Sequence, residues 1–226
     1  MAQLDDIAIV DAHHHLWDLD HPVLKYPSLQ GPPDTEFFLG DNTPIRKTYL
    51  PPDFREDSAR HNVVATVHCE AECHRDYQVG ESRWIMEMHE RYGLPNAIVG
   101  HAWFDRDNTE EILAGQAAIP LMRGIRSKPV VAASPDTMTP GAPGTMQDER
   151  WLDGFALLEK YDLSWDLRVP TWHLEEAAAV ARTFPGTRIV LNHTGFPWDR
   201  SAAGLEMWRR GMHALAACPN VVTKIW

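Results

Sequence analysis

Val10-Asp11-Ala12-His13-His14-His15-Leu16-Trp17-Asp18 is the stretch on which the reading of this chain turns. An apolar run, Ile7 to Asp11, leads into it and reads as a β-strand, so the histidines fall where a strand ends. Side chains alternate along a strand, which puts His13 and His15 on one side and His14 on the other. Two imidazoles on one side can each bring a nitrogen to about 2.0–2.1 Å from one zinc-sized ion. The run is short and sits behind an apolar strand, which separates it from an expression tag.

Working outward, the same kind of apolar, β-rich run recurs at Val63 to Cys69, Ala97 to Trp103, Leu121 to Arg126, Leu163 to Val169, Arg188 to His193 and Val221 to Ile225. Seven strands are therefore expected. Helical periodicity fills the gaps at Glu81 to Tyr92, Asn108 to Ala118, Glu149 to Tyr161, Leu174 to Thr183 and Gly204 to Ala217. In the first of these, Trp84, Ile85, Met88 and Tyr92 form one stripe, and Gly93 follows as the residue that best tolerates a left-handed C-cap. Strand followed by helix, repeated, is the pattern of βα units around a parallel sheet. Two stretches break it: Asp18 to Asp53, rich in Pro and Asp, and Val130 to Gln147, rich in Pro, Gly, Ser and Thr. Neither a repeat nor a linker interrupts the chain, so residues 1–226 read as a single domain.

A second histidine closes an apolar strand at Ile189-Val190-Leu191-Asn192-His193-Thr194-Gly195-Phe196-Pro197. Alone, His193 could simply cap a strand; beside the first motif it becomes a ligand or catalytic candidate. On the second strand, period two groups His68, Glu70, Glu72 and His74 on one side and Cys69, Ala71 and Cys73 on the other. Glu70 could reach a metal or a substrate hydroxyl, or form part of a solvated rim. Arg126 ends the fourth strand, where its planar fork suits a substrate carboxylate or lactone oxygen; an ion pair with Asp166 or Glu70 is the competing account. His101 and Trp103 alternate on the third strand and could line a pocket, while Trp17 reads as packing.

The totals narrow the partners. The chain has 226 residues, 44% hydrophobic and 23% charged, with a formal net charge of -11. That excess of acid disfavours nucleic acid and anionic membranes, whose binding needs clustered Lys and Arg. No apolar run reaches the roughly 18 residues needed to span a bilayer, and Met1 to Asp6 lacks the charged and apolar regions of a signal peptide. A cytoplasmic protein acting on a small molecule is expected, and a homo-oligomer is compatible with it. Cys69, Cys73 and Cys218 are too few and oddly spaced for a disulfide framework and read as reduced, structural thiols.

Asp11-Ala12-His13-His14-His15 near the start and Asn192-His193-Thr194-Gly195 on a late strand resemble the amidohydrolase superfamily. More narrowly they resemble its amidohydrolase-2 group, which includes lactonases acting on sugar lactones and on pyrone or muconolactone carboxylates. Tyr49-Leu50-Pro51-Pro52-Asp53-Phe54, Arg123-Gly124-Ile125-Arg126 and Trp165-Asp166-Leu167 are weaker matches. The resemblance implies a TIM (β/α)8 barrel whose strand ends, carrying His13, His15 and His193, converge on one mouth that the two long loops cover. It implies one divalent ion, zinc by preference, held by His13 and His15 with Glu70 or His193. Catalysis would rest on His193 and Arg126, and substrate binding on Arg126, Glu70 and His101.

The departures from that pattern matter too. Binuclear amidohydrolases place a carboxylated Lys or a Glu on the fourth strand and a His at the end of the fifth, where this chain has Arg126 and Val169-Pro170, with His173 only in the following loop. A binuclear centre is not expected, and the lactonases that share this loss bind one ion or none. Hydrolysis of a small lactone is the expected reaction; a metal-dependent decarboxylase of an aromatic or muconate acid, and a non-catalytic binding barrel, are the alternatives. The family places an Asp general base at the end of an eighth strand, yet the sequence stops at Thr223-Lys224-Ile225-Trp226. The expectation is a fragment, inactive alone, whose continuation supplies that strand and its Asp.

Overall fold

The computed structural model describes residues 7–33 and 40–225. The hexapeptide Met1 to Asp6, positions 34–39 of the first long loop and Trp226 lie outside the described residues. Two compact units emerge, one of the described residues up to His101 with Ile119–Met122, the other of Ala102–Ala118 with the described residues from Arg123 onward. All seven expected strands form.

In the first unit β1 (Ile9–His14), β2 (Val63–Cys69) and β3 (Ala97–Gly100) pair in parallel. The first strand starts and ends later than its apolar run suggested, because the ladder with β2 continues to His14 opposite His68. A register shift between Asp11 and His14 makes this extension; there Asp11 Oδ1 accepts the His13 N–H at 2.9 Å, a local side-chain bond replacing a ladder bond. The Pro-rich stretch read as a plain loop in fact holds one helix, α1 (Pro27–Gln30), and the first turn of a second, α2 (Pro51–Asp57), which runs beyond it. For α2 the signal was present: proline at its first position, with Asp53 accepting the Leu50 N–H at 2.8 Å. Helix α3 (Gln78–Tyr92) buries Trp84 and Ile85 and stops at Gly93, whose φ of 75° is the left-handed cap expected there. β3 is shorter than expected, so His101 and Trp103 lie beyond it.

In the second unit β4 (Met122–Ile125, its first residue in the other unit), β5 (Ser164–Leu167), β6 (Ile189–Leu191) and β7 (Val221–Thr223) are parallel neighbours in chain order. They alternate with α4 (Thr109–Ala117), α5 (Glu149–Lys160), α6 (Leu174–Thr183) and α7 (Ala202–Ala216). An aromatic core ties α5 to β5: Trp151 and Phe155 each stand about 5 Å from Trp165, at 5.4 and 5.1 Å between ring centroids, in edge-to-face geometry. Gly154 lets α5 also lie directly on the backbone of Phe104, since a Cβ there would come within 2.0 Å of the Phe104 carbonyl oxygen. Among the described residues no helix is long and apolar enough to cross a membrane.

Candidate functional site

At the end of β1 the rings of His13 and His15 come together, 5.0 Å apart between centroids and nearly perpendicular. His15 Nδ1–H donates to the Cys69 carbonyl at 2.9 Å, which fixes the tautomer. Metal-binding histidines are typically oriented by such a backbone bond. His14 turns the other way, onto Phe54 at 4.7 Å and toward His68 at 6.0 Å. Burial there pushes its pKa down to about 4, so it stays neutral.

Of the residues closing β2, Cys69 is the one whose thiol comes within 4.8 Å of a His13 ring nitrogen. It is fully buried and adds a soft donor that sequence reading left as a structural thiol. The pairing of His14 with His68 was the clue: it puts the next residue, Cys69, on the side of His13. Glu70 follows, 1% exposed, and its carboxylate accepts the Glu72 N–H at 2.7 Å. His101, 8% exposed, donates from Nδ1 to the Gln78 side-chain oxygen at 3.1 Å. Cys73 is held as a thiol, burial and then the neighbouring Glu81 raising its pKa to about 12. The His13 imidazole and the Cys69 thiol, which come within 4.8 Å of each other, are donors that suit a borderline ion such as zinc.

In the second unit, the strand expected to end in a histidine stops two residues earlier, at Leu191. Asn192 keeps one ladder bond, N–H to the Leu167 carbonyl at 2.9 Å, and then the backbone turns over. His193, Thr194, Gly195 and Phe196 have φ of 54°, 50°, 75° and 45°. Only Gly195 adopts such values at no cost; each of the other three costs roughly 1–2 kcal/mol, and Thr194, branched at Cβ, is the least suited. A run of this kind persists where its surroundings hold it and is concentrated at functional sites. His193 is half-buried with its ring 4.5 Å from that of Phe196. The turn is held by Thr171 Oγ1 donating to the Phe196 carbonyl at 2.7 Å and Trp208 Nε1 to the Thr194 carbonyl at 2.8 Å.

Arg126 directly follows β4 and is 4% exposed. Asp166, offered as its structural partner, is 1% exposed and pairs with Lys224 Nζ at 2.6 Å. His173 has both ring nitrogens committed: Nδ1 to Glu176 and Nε2, as acceptor, to the Ala132 N–H at 2.9 Å. Its lone pair is thus used on the Val130 to Gln147 loop, which encloses a cavity of about 150 Å³ lined by Thr137, Thr139, Thr145, His173 and Glu176.

The amidohydrolase family model matches residues 10–226. An uncharacterized protein, y4mH, of Sinorhizobium fredii is 36% identical over 98% of this chain and 73% of its own length. The L-fucono-1,5-lactonase of Burkholderia ambifaria is 28% identical over 96% of this chain and 66% of its own. The chain thus spans about two thirds to three quarters of these relatives. Crystal structures of an amidohydrolase from Burkholderia multivorans, one with bound HEPES and one with bound zinc, superpose with TM-scores of 0.71 and 0.70 at 22% identity, over 95% of this chain and 68% of theirs. The α/β fold, seven parallel strands alternating with helices among the described residues, is that of an amidohydrolase-type TIM barrel without an eighth strand, and the chain belongs to the amidohydrolase family, in its amidohydrolase-2 group.

Proposed function

We propose that this chain is the hydrolytic part of an enzyme that opens a small lactone, with a sugar lactone as the first candidate. The observation that carries the reading is the pair His13 and His15, side by side at the end of β1 with His15 already oriented by the Cys69 carbonyl. The 28% identity to an L-fucono-1,5-lactonase supports the choice of substrate class.

On this reading His13 and His15 hold one divalent ion, zinc by preference, with Cys69 as a further donor and Glu70 or His193 completing the set. When bound, the ion supplies Lewis acidity toward a carbonyl oxygen. Arg126 grips the carboxylate or hydroxyl face of the substrate with two parallel N–H bonds. Glu70 and His101 accept and donate hydrogen bonds to its hydroxyls. With Glu70 completing the ligand set, His193 is left to stabilise negative charge developing on the lactone oxygen and to relay a proton. Such an enzyme works in the cytoplasm on a small molecule, with no nucleic-acid or membrane partner, as one barrel domain.

The test is hydrolysis of L-fucono-1,5-lactone and a panel of related lactones, followed by proton release, before and after dialysis against a chelator. Turnover that falls on chelation and returns with zinc supports the reading. A metal-replete protein that opens no lactone but releases CO2 from an aromatic acid overturns it.

A further inference from the structure

The left-handed run after β6 has an anchor that neither the family pattern nor the proposed roles use. Lys224 meets the run once directly, at Thr194, and bonds twice more to residues that flank or support it. Its N–H donates to the Leu191 carbonyl at 2.8 Å, and its carbonyl accepts the Thr194 N–H at 3.3 Å. Its ammonium lies 2.6 Å from Asp166 Oδ2, the same oxygen that accepts the Asn192 side-chain N–H at 3.0 Å. Asn192 donates again to the Val190 carbonyl at 3.0 Å, so its amide is fixed and its position sets where the chain leaves the ladder. His193 is the next residue. Asp166 is 1% exposed at its side chain and Lys224 is 12% exposed.

A buried ion pair is a poor way to add stability, because stripping water from both charges cancels most of their attraction. What such a pair can supply is one preferred geometry. Here the geometry is that of a turn whose backbone is strained at three non-glycine residues. We propose that Lys224, through Asp166 and Asn192, is a positioning residue that holds the 193–196 turn in the form that presents the His193 ring. The role of His193 itself rests on the function proposed above; the geometry of the turn does not.

The test therefore has two arms on the full chain. The first reads the His193 ring protons by NMR, whose shifts carry the ring current of Phe196 at 4.5 Å. The second reads kcat and KM on the lactone. In Lys224→Met the His193 signals move toward their values in an unfolded chain, and kcat falls 10- to 100-fold with KM changed less than threefold. The charge-neutral double variant Asp166→Asn with Lys224→Met keeps an acceptor for Asn192. It restores the ring-current shift and at least tenfold of kcat, and it also serves if the single variant folds poorly. Unmoved His193 signals in Lys224→Met overturn the proposal; if kcat is nonetheless lost, Lys224 acts on substrate directly. A double variant that folds but restores neither the shift nor kcat also overturns it. A protein that opens no lactone fails the functional reading while the NMR arm still decides this one.

Discussion

Two strand ends in this molecule carry the histidines, and they are built in opposite ways. At β1 the chain stays extended through His14, and a one-residue irregularity closed by Asp11 leaves His13 and His15 on one side. At β6 the ladder stops at Leu191 and His193 opens four residues of positive φ. The first presents imidazoles on extended backbone with a single shift of register, and the second by stored strain. Regular backbone tolerates substitution and relies on its side chains; a strained turn relies on the contacts that hold it. That difference orders the ways to break the comparison.

The largest effect is expected at β1. His13→Ala or His15→Ala should lower the bound divalent ion from one per chain toward none, by elemental analysis after dialysis, and cut lactone hydrolysis by about 100-fold or more, since even residues that merely orient a ligand change affinity by about 10- to 100-fold. Full metal content in both variants would remove the β1 end from the site.

The cysteine that closes β2 and the one just beyond it sharpen the same point. Cys69→Ser should weaken zinc binding by about 10-fold or more, because its sulfur is within 4.8 Å of a His13 nitrogen. Cys73→Ser should leave zinc affinity unchanged. The Cys73 thiol, pushed up to about 12, keeps its proton throughout the neutral range and becomes thiolate only as the pH climbs beyond its ordinary value of 9.0 toward 12. Equal losses in both variants, by competition with a chromogenic chelator at pH 7.5, would undo the assignment.

At the second unit's strand ends the expected effect falls on substrate. Arg126→Lys should raise KM for an anionic lactone by about tenfold and change kcat little, since a point charge replaces a two-pronged grip. Collapsed kcat at unchanged KM would move Arg126 into the chemical step.

The contrast also explains what could be read in advance. Strand and helix order followed from hydrophobic period, and Leu174–Thr183 and Val63–Cys69 form with the bounds expected. The side that His13 and His15 share followed from alternation alone. Period says nothing about a sign change in φ, so the turn at His193 was read as the last residue of a strand. Nor does it say which strand residue faces which across a ladder; without the pairing of His14 with His68, the approach of the Cys69 thiol to His13 could not be read. Asp166 and Lys224 meet across 58 positions of sequence, beyond any local pattern. Lys224 was visible only as part of the last strand.

The smallest effect separates the two designs most cleanly, because one substitution should have opposite signs at the two ends. Ala12 is an exposed residue of extended backbone in β1. Ala12→Gly adds freedom to the unfolded chain and nothing to the folded one, so it should cost about 0.5–1 kcal/mol. Thr194→Gly adds the same freedom to the unfolded chain, but it also releases the roughly 1–2 kcal/mol that a left-handed non-glycine residue stores. Its side chain makes one bond, Oγ1–H to the neighbouring His193 carbonyl at 2.7 Å, a contact any water can replace. The net change at Thr194 should run from zero to a gain of about 1 kcal/mol, measured by urea unfolding at fixed slope. Turnover should not rise with it, since relaxed strain loosens the turn that carries His193. Thr194→Gly and Ala12→Gly destabilising by equal amounts would mean that the two strand ends are built alike.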